Sequence, residues 1–133
     1  MKIFLDANII LDFLDTDRAR HNIANKLFKS ISFNQYKILI SEDILTNIFY
    51  IAQDKKQALN FFKTIQYKWS IAHFDNEVIK NAIDLSLAHS FDLEDVLQCL
   101  CAKENNCDVL ITNDKKFYDC GIKIQTANEF LND

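Results

Sequence analysis

The chain has 133 residues, 49% hydrophobic and 26% charged, the profile of one soluble globular domain spanning 1–133 with a full hydrophobic core. A single Gly and no Pro exclude collagen-like repeats, flexible linkers, a Walker loop and a G-x-G-x-x-G dinucleotide turn, each of which needs several glycines. The net charge of −4 excludes a global basic field for collecting nucleic acid, so any contact with RNA or DNA must be local.

In chain order, short apolar runs alternate with amphipathic stretches. The runs are Ile3 to Leu5, Ile38 to Ile40, Trp69 to Phe74, Val109 to Ile111, and a weaker one at Ile122 to Ile124. They are too short and too uniformly apolar for half-exposed hairpins, and no Asn-Gly or Asp-Gly joins them, so parallel strands are expected. Helical spacing follows Ile9 to Leu14, Ile23 to Ile31, Ile44 to Ala52, Leu59 to Ile65, Val78 to Ile83 and Val96 to Ala102. Ser41, Asp75 and Asp92 are placed to cap helices, and Thr126-Ala127-Asn128-Glu129 reads as a capping box. The expectation is a three-layer α/β/α domain around a five-stranded, mostly parallel sheet, with sites at the carboxyl ends of its strands.

No apolar run approaches the roughly 20 residues of a membrane span, and the start Met1-Lys2-Ile3-Phe4-Leu5-Asp6 breaks into charge too early for a signal peptide. A cytoplasmic protein is expected. The four cysteines, Cys99, Cys101, Cys107 and Cys120, contain no C-x-x-C pair, so reduced, buried thiols are expected rather than zinc ligands or a disulfide framework. His21, His73 and His89 sit on separate elements and receive no role.

Four acids stand out by placement. Asp6 follows the first strand, Asp114 closely follows the strand ending at Ile111, and Asp92 and Asp95 open the helix before that strand. Asp92 fits a plain N-cap, whereas Asp6 has nothing it must cap. Carboxylates gathered in one cleft repel and raise one another's pKa unless a cation lies between them. With no His or Cys at ligand spacing, the cation expected is Mg²⁺ or Mn²⁺.

Four segments carry a resemblance. They are Ile3-Phe4-Leu5-Asp6-Ala7-Asn8-Ile9-Ile10-Leu11-Asp12, Ile40-Ser41 leading into a helix, Phe91-Asp92-Leu93-Glu94-Asp95-Val96, and Leu110-Ile111-Thr112-Asn113-Asp114-Lys115-Lys116-Phe117. In order and spacing this set resembles the PIN-domain ribonucleases over nearly the whole chain, nearest to the VapC-like toxins of prokaryotic toxin–antitoxin pairs. The resemblance implies a Mg²⁺- or Mn²⁺-dependent endoribonuclease in which Asp6, Asp95 and Asp114 match the metal-binding acids, and Asn8 and Thr112 the polar residues that brace the pocket. It further implies an RNA substrate, an antitoxin partner and a homodimer, for which the apolar helices around Ile48 to Ala52 and Leu59 to Ile65 are candidate surfaces.

The remaining family acid, usually a Glu, falls at Asn47, which brings an oxygen but no charge. Asp43, one helical turn earlier on the same face, is the candidate substitute. Lys115, Lys116, Arg18 and Arg20 lie where they could reach an RNA backbone. Two other classes share parts of this pattern. A phosphoaspartyl phosphatase or receiver also places Asp after its first strand, but the phosphatase wants Asp-x-Asp where this chain has Asp6-Ala7-Asn8. A PIN fold impaired by Asn47 would be a non-catalytic RNA- or protein-binding module.

Overall fold

The computed structural model describes residues Met1–Asp133. Twelve elements follow one another: β1 (Lys2–Leu5), α1 (Ala7–Leu14), α2 (His21–Asn34), β2 (Lys37–Ser41), α3 (Glu42–Ile51), α4 (Lys55–Ile65), β3 (Ser70–Ala72), α5 (Asn76–His89), α6 (Leu93–Glu104), β4 (Val109–Ile111), β5 (Lys123–Gln125) and α7 (Ala127–Leu131). The strands form one sheet in the order β3-β2-β1-β4-β5. Every neighbouring pair is parallel, with Phe4 facing Leu39 on one side and Leu110 on the other. Five parallel strands with seven helices make the expected α/β/α sandwich.

β1 lies at the centre and is hydrogen-bonded on both sides, which is why Ile3, Phe4 and Leu5 are wholly buried. The chain adds β2 and β3 on one side of β1, then crosses to add β4 and β5 on the other. The strand order therefore reverses between β1 and β4, the place where an open parallel sheet leaves a crevice beyond its carboxyl ends. α1 packs on α2 and α3, α3 on α4, and α2 on α7, while α5 and α6 pack on each other. Phe13 and Phe28 stack with ring centroids 4.0 Å apart, and Phe61 and Trp69 extend that cluster.

Three expectations need correction. The run Trp69 to Phe74 pairs only over Ser70–Ala72, because Trp69 gives its N–H to the Ile65 carbonyl (2.8 Å) and thereby closes α4. Ser41 stands at the start of α3 but does not cap it; its hydroxyl donates instead to the Asp43 carboxylate. The third concerns the thiols. Cys101 and Cys107 are free and buried, as expected, but Cys99 and Cys120 form a disulfide with Cα atoms 6.0 Å apart. The parallel register of β4 and β5 brings the segment between them back over α6, a juxtaposition that sequence spacing does not reveal. The capping box at Thr126 and the caps at Asp75 and Asp92 are present as expected.

Candidate active site

The crevice at the β1–β4 switch is built by backbone bonds that run past the strand ends. Asp6 N–H donates to the Ile111 carbonyl (3.1 Å) and Thr112 N–H to the Gln125 carbonyl (3.0 Å), so each residue just beyond its strand is still held in sheet register. Asp6 begins α1 but makes no side-chain cap. Its carboxylate accepts from the buried Thr112 hydroxyl at 2.7 Å, and that same hydroxyl oxygen accepts the Asp114 N–H at 3.1 Å. One hydroxyl thus ties together the two strand-end acids. Asp114 is fixed further by a tight turn in which its Oδ1 accepts the Lys116 N–H and its carbonyl accepts the Phe117 N–H.

Two helices supply the remaining acids. Asp92 caps α6 by accepting the Asp95 N–H at 3.0 Å. Glu94 and Asp95 follow in the first turn, where the positive end of the helix favours negative charge. From α3 comes Asp43, whose carboxylate accepts from the Ser41 hydroxyl and from Gln98 Nε2 at 2.9 Å. Gln98 is 1% exposed and sits one turn beyond Asp95, so a buried amide on α6 aims an acid of α3. Asn47 donates from Nδ2 to Glu94 Oε1 at 3.2 Å, a second link between the same helices.

These groups feel one another. Burial pushes the Asp6 carboxyl upward, Thr112 pulls it back, and the charges of Asp114 and Asp43 raise it again. Glu94 is raised by burial and by Asp43, Asp92 and Asp6, against the hydrogen bond from Asn47. Asp95 is pushed furthest, from the ordinary 3.8 up to about 7, first by burial and then by Asp92, Asp114, Asp6 and Glu94. Asp6, Asp43, Glu94, Asp95 and Asp114 therefore form one mutually repelling constellation drawn from β1, α3, α6 and the turn after β4.

As the side chains stand, no three His, Cys, Asp or Glu groups close on a single ion-sized point. The donor chemistry fits a hard divalent cation, since every donor is a carboxylate oxygen and no imidazole or thiolate is among them.

Asn8 accepts through Oδ1 from Arg18 Nη2 at 3.3 Å and has no hydrogen bond to the crevice acids. Arg18 is anchored by its Nε to the buried Asp12 carboxylate at 2.8 Å. Lys115 and Lys116 are exposed beside Asp114, and Lys115 lines a polar groove of about 590 Å³ with Thr112, Gln125, Thr126, Asn128 and Glu129. Asp12 and Gln98 escaped the sequence reading. The one signal for either was a polar residue interrupting an apolar helix face.

The PIN domain family model matches residues 3–123. The chain belongs to the PIN domain family. Ribonuclease VapC1 of Aquifex aeolicus is 33% identical to this PIN domain over 97% of the chain and 92% of that protein. Among solved structures, the Mycobacterium tuberculosis VapC20 toxin, described as cleaving the sarcin–ricin loop, superimposes with a TM-score of 0.75 at 14% identity, over 90% of this chain and 95% of that one. A toxin–antitoxin complex from Klebsiella pneumoniae matches with a TM-score of 0.70 at 16% identity, covering 94% of this chain and 97% of that chain. VapBC2 from Rickettsia felis, bound to a promoter DNA fragment, also gives 0.70 at 16% identity, with 95% and 98% covered. Membership in this family leaves the phosphoaspartyl reading without support.

Proposed function

We propose that this PIN domain is a Mg²⁺- or Mn²⁺-dependent endoribonuclease, the cytoplasmic toxin of a toxin–antitoxin pair. The observation that carries the reading is the convergence of Asp6, Asp43, Glu94, Asp95 and Asp114 at the β1–β4 crevice, with Asp95 raised to about 7. Asp6, Glu94 and Asp95 are all pushed upward by burial and by neighbouring acids, an arrangement that costs stability and so points to function. Asp6, Asp95 and Asp114 would hold the cation, with Asp43 as the fourth acid in place of Asn47. Bound there, a hard divalent cation supplies Lewis-acid polarisation of a phosphodiester and activation of water.

The chain's own groups do the rest. Thr112 orients Asp6 and the Asp114 backbone together. Gln98 and Ser41 aim Asp43. Asn47 restrains Glu94, and Asp92 holds the first turn of α6 that presents Asp95. Lys115 and Lys116 offer cations to an RNA backbone entering beside Asp114, and Arg18 would offer another from beside Asn8 and Asp12. The antitoxin partner is inferred from the VapBC relatives. A homodimer would use Tyr50, Ile51 and Leu59, large apolar side chains more than half exposed on α3 and α4.

The impaired-module reading rests on Asn47 alone. Single-stranded RNA incubated with Mn²⁺ separates the two: wild type cleaves, while Asp6→Asn and chelator each reduce the rate by roughly 100-fold or more. Equal rates for wild type and Asp6→Asn would locate the activity elsewhere. An inactive wild type that takes up no Mn²⁺ in calorimetry would establish the binding module.

A further inference from the structure

The Cys99–Cys120 bond joins the two segments that carry Asp95 and Asp114. Cys99 lies on α6 one turn beyond Asp95, on the same face, with no exposed surface. Cys120 lies six residues after Asp114, in the stretch between β4 and β5 that contains neither helix nor strand. Three other features fasten that stretch. They are the buried Phe117, the Phe91–Tyr118 ring contact at 4.9 Å, and Lys103 Nζ donating to the Cys120 carbonyl at 3.1 Å. The disulfide is the only covalent tie between the helix and the loop.

We propose that Cys99–Cys120 is a reversible thiol-modification site, through which reduction by a dithiol loosens the placement of Asp114 against Asp95 and weakens cation binding. The inference rests on the metal-dependent reading above. A chain with 26 residues in one buried apolar cluster does not need a disulfide to fold. In the thiol-rich compartment where a toxin meets RNA, disulfides are transient and regulatory more often than structural.

The surroundings suit exchange. Cys120 keeps some exposed surface while Cys99 keeps none, which makes Cys120 the end of the bond an incoming thiolate would attack. Attack forms a mixed disulfide at Cys120 and breaks the Cys99–Cys120 bond, and the electron pair leaves on Cys99 Sγ. That sulfur accepts the Cys120 N–H at 3.3 Å, a donor that offsets part of the cost of forming a thiolate at the enclosed Cys99. The second thiol of the reductant then displaces Cys120. Two electrons and two protons have passed to the protein, giving two thiols, and the dithiol has become a cyclic disulfide. Cys101 and Cys107 do not compete, since burial pushes their thiols up to about 12 and about 11.

The test uses the full chain purified in air and a second portion reduced with dithiothreitol, freed of reagent under anaerobic conditions. Thiol titration in denaturant should find two thiols per chain in the first and four in the second. Calorimetric titration with MnCl₂ should show affinity roughly tenfold weaker after reduction, the loss expected when a support behind a ligand is removed. Amide exchange should quicken in residues 113–122 and not in β1. Cys120→Ser should behave as the reduced form whether or not reductant is present. Four thiols in the air-purified protein, equal Mn²⁺ affinity in both forms, or a Cys120→Ser variant that still responds to reductant would each overturn the proposal. Equal affinity overturns the coupling alone, whereas no Mn²⁺ binding in either form overturns the metal reading together with it.

Discussion

Replacing Asp95 by asparagine should stabilise the metal-free protein at neutral pH while destroying its function. Asp95 ionises at about 7 in the folded chain against 3.8 ordinarily, so between those values the folded protein keeps a proton that the unfolded chain has released. Stability is then fully present below about pH 4 and falls as pH rises through about 7. At ~1.4 kcal/mol per unit the whole shift would be worth about 4 kcal/mol. Asp95 is only partly enclosed, and solvent screening cuts this to about 1–2 kcal/mol. Asparagine also forgoes a favourable charge in the first turn of α6, worth ~0.3–1 kcal/mol in the opposite direction. The net gain is about 1 kcal/mol, or roughly 4 °C in melting temperature for a chain of this length. Thermal unfolding followed by circular dichroism, in chelator, should show Asp95→Asn melting above wild type at pH 8 and by a smaller margin at pH 5. Excess Mn²⁺ should reverse the order at pH 8 by stabilising wild type alone. A variant that melts at or below wild type at pH 8 in chelator would refute the account of a strained acid cluster.

Asn47→Asp removes the donor to Glu94 and sets a second carboxylate where the amide stood 3.2 Å away, so the metal-free protein should melt lower and Mn²⁺ should bind more tightly. Unchanged Mn²⁺ affinity in calorimetry would place Asn47 outside the reach of the cation. Thr112→Val deletes the one hydroxyl that serves both Asp6 and the Asp114 N–H, which costs about 1.5–3 kcal/mol as a hydrogen bond to a charged group is lost. Because that bond holds the Asp6 pKa down, its loss should move the onset of Mn²⁺ binding to higher pH, read from titrations between pH 5 and 8.

Which parts of the fold could be read from sequence follows from how each strand is buried. β1 and β4 are covered on both faces, so Ile3-Phe4-Leu5 and Val109-Leu110-Ile111 are unbroken apolar runs whose identity as parallel strands is unambiguous. β3 is an edge strand paired only with β2, and its flanking Trp69 and Phe74 are apolar for other reasons. Trp69 packs on Phe28 and Phe61 in the aromatic cluster under α4, so hydrophobicity overstated the strand's length. Caps at Asp75, Asp92 and Thr126 were legible because their hydrogen bonds close within three residues. The Cys99–Cys120 bond was not, because it depends on where a long irregular segment returns.

The acids divide along the same line. Strand-end logic singles out Asp6 and Asp114, and helix-start logic singles out Asp95, since each depends on local position alone. The partnership of Asp43 with Gln98 spans 55 residues and depends on α3 and α6 both packing beside β2, so nothing within either helix announces it. On the proposed reading, that partnership would compensate for the absence of an acid at Asn47. A carboxylate at position 47 would face Glu94 directly, in a crevice where Asp6, Glu94 and Asp95 are already pushed upward. Asparagine supplies a donor to Glu94 instead. Asp43, one turn back, carries a negative charge to which a buried amide and the Ser41 hydroxyl both donate. On that reading the number of acids around the crevice would be kept and its most crowded contact relieved, with Asp43 tied to α6. On the proposal above, a movement of α6 would be felt by Asp43 through Gln98 and by Asp114 through Cys99, since Gln98 and Cys99 both stand within one turn of Asp95.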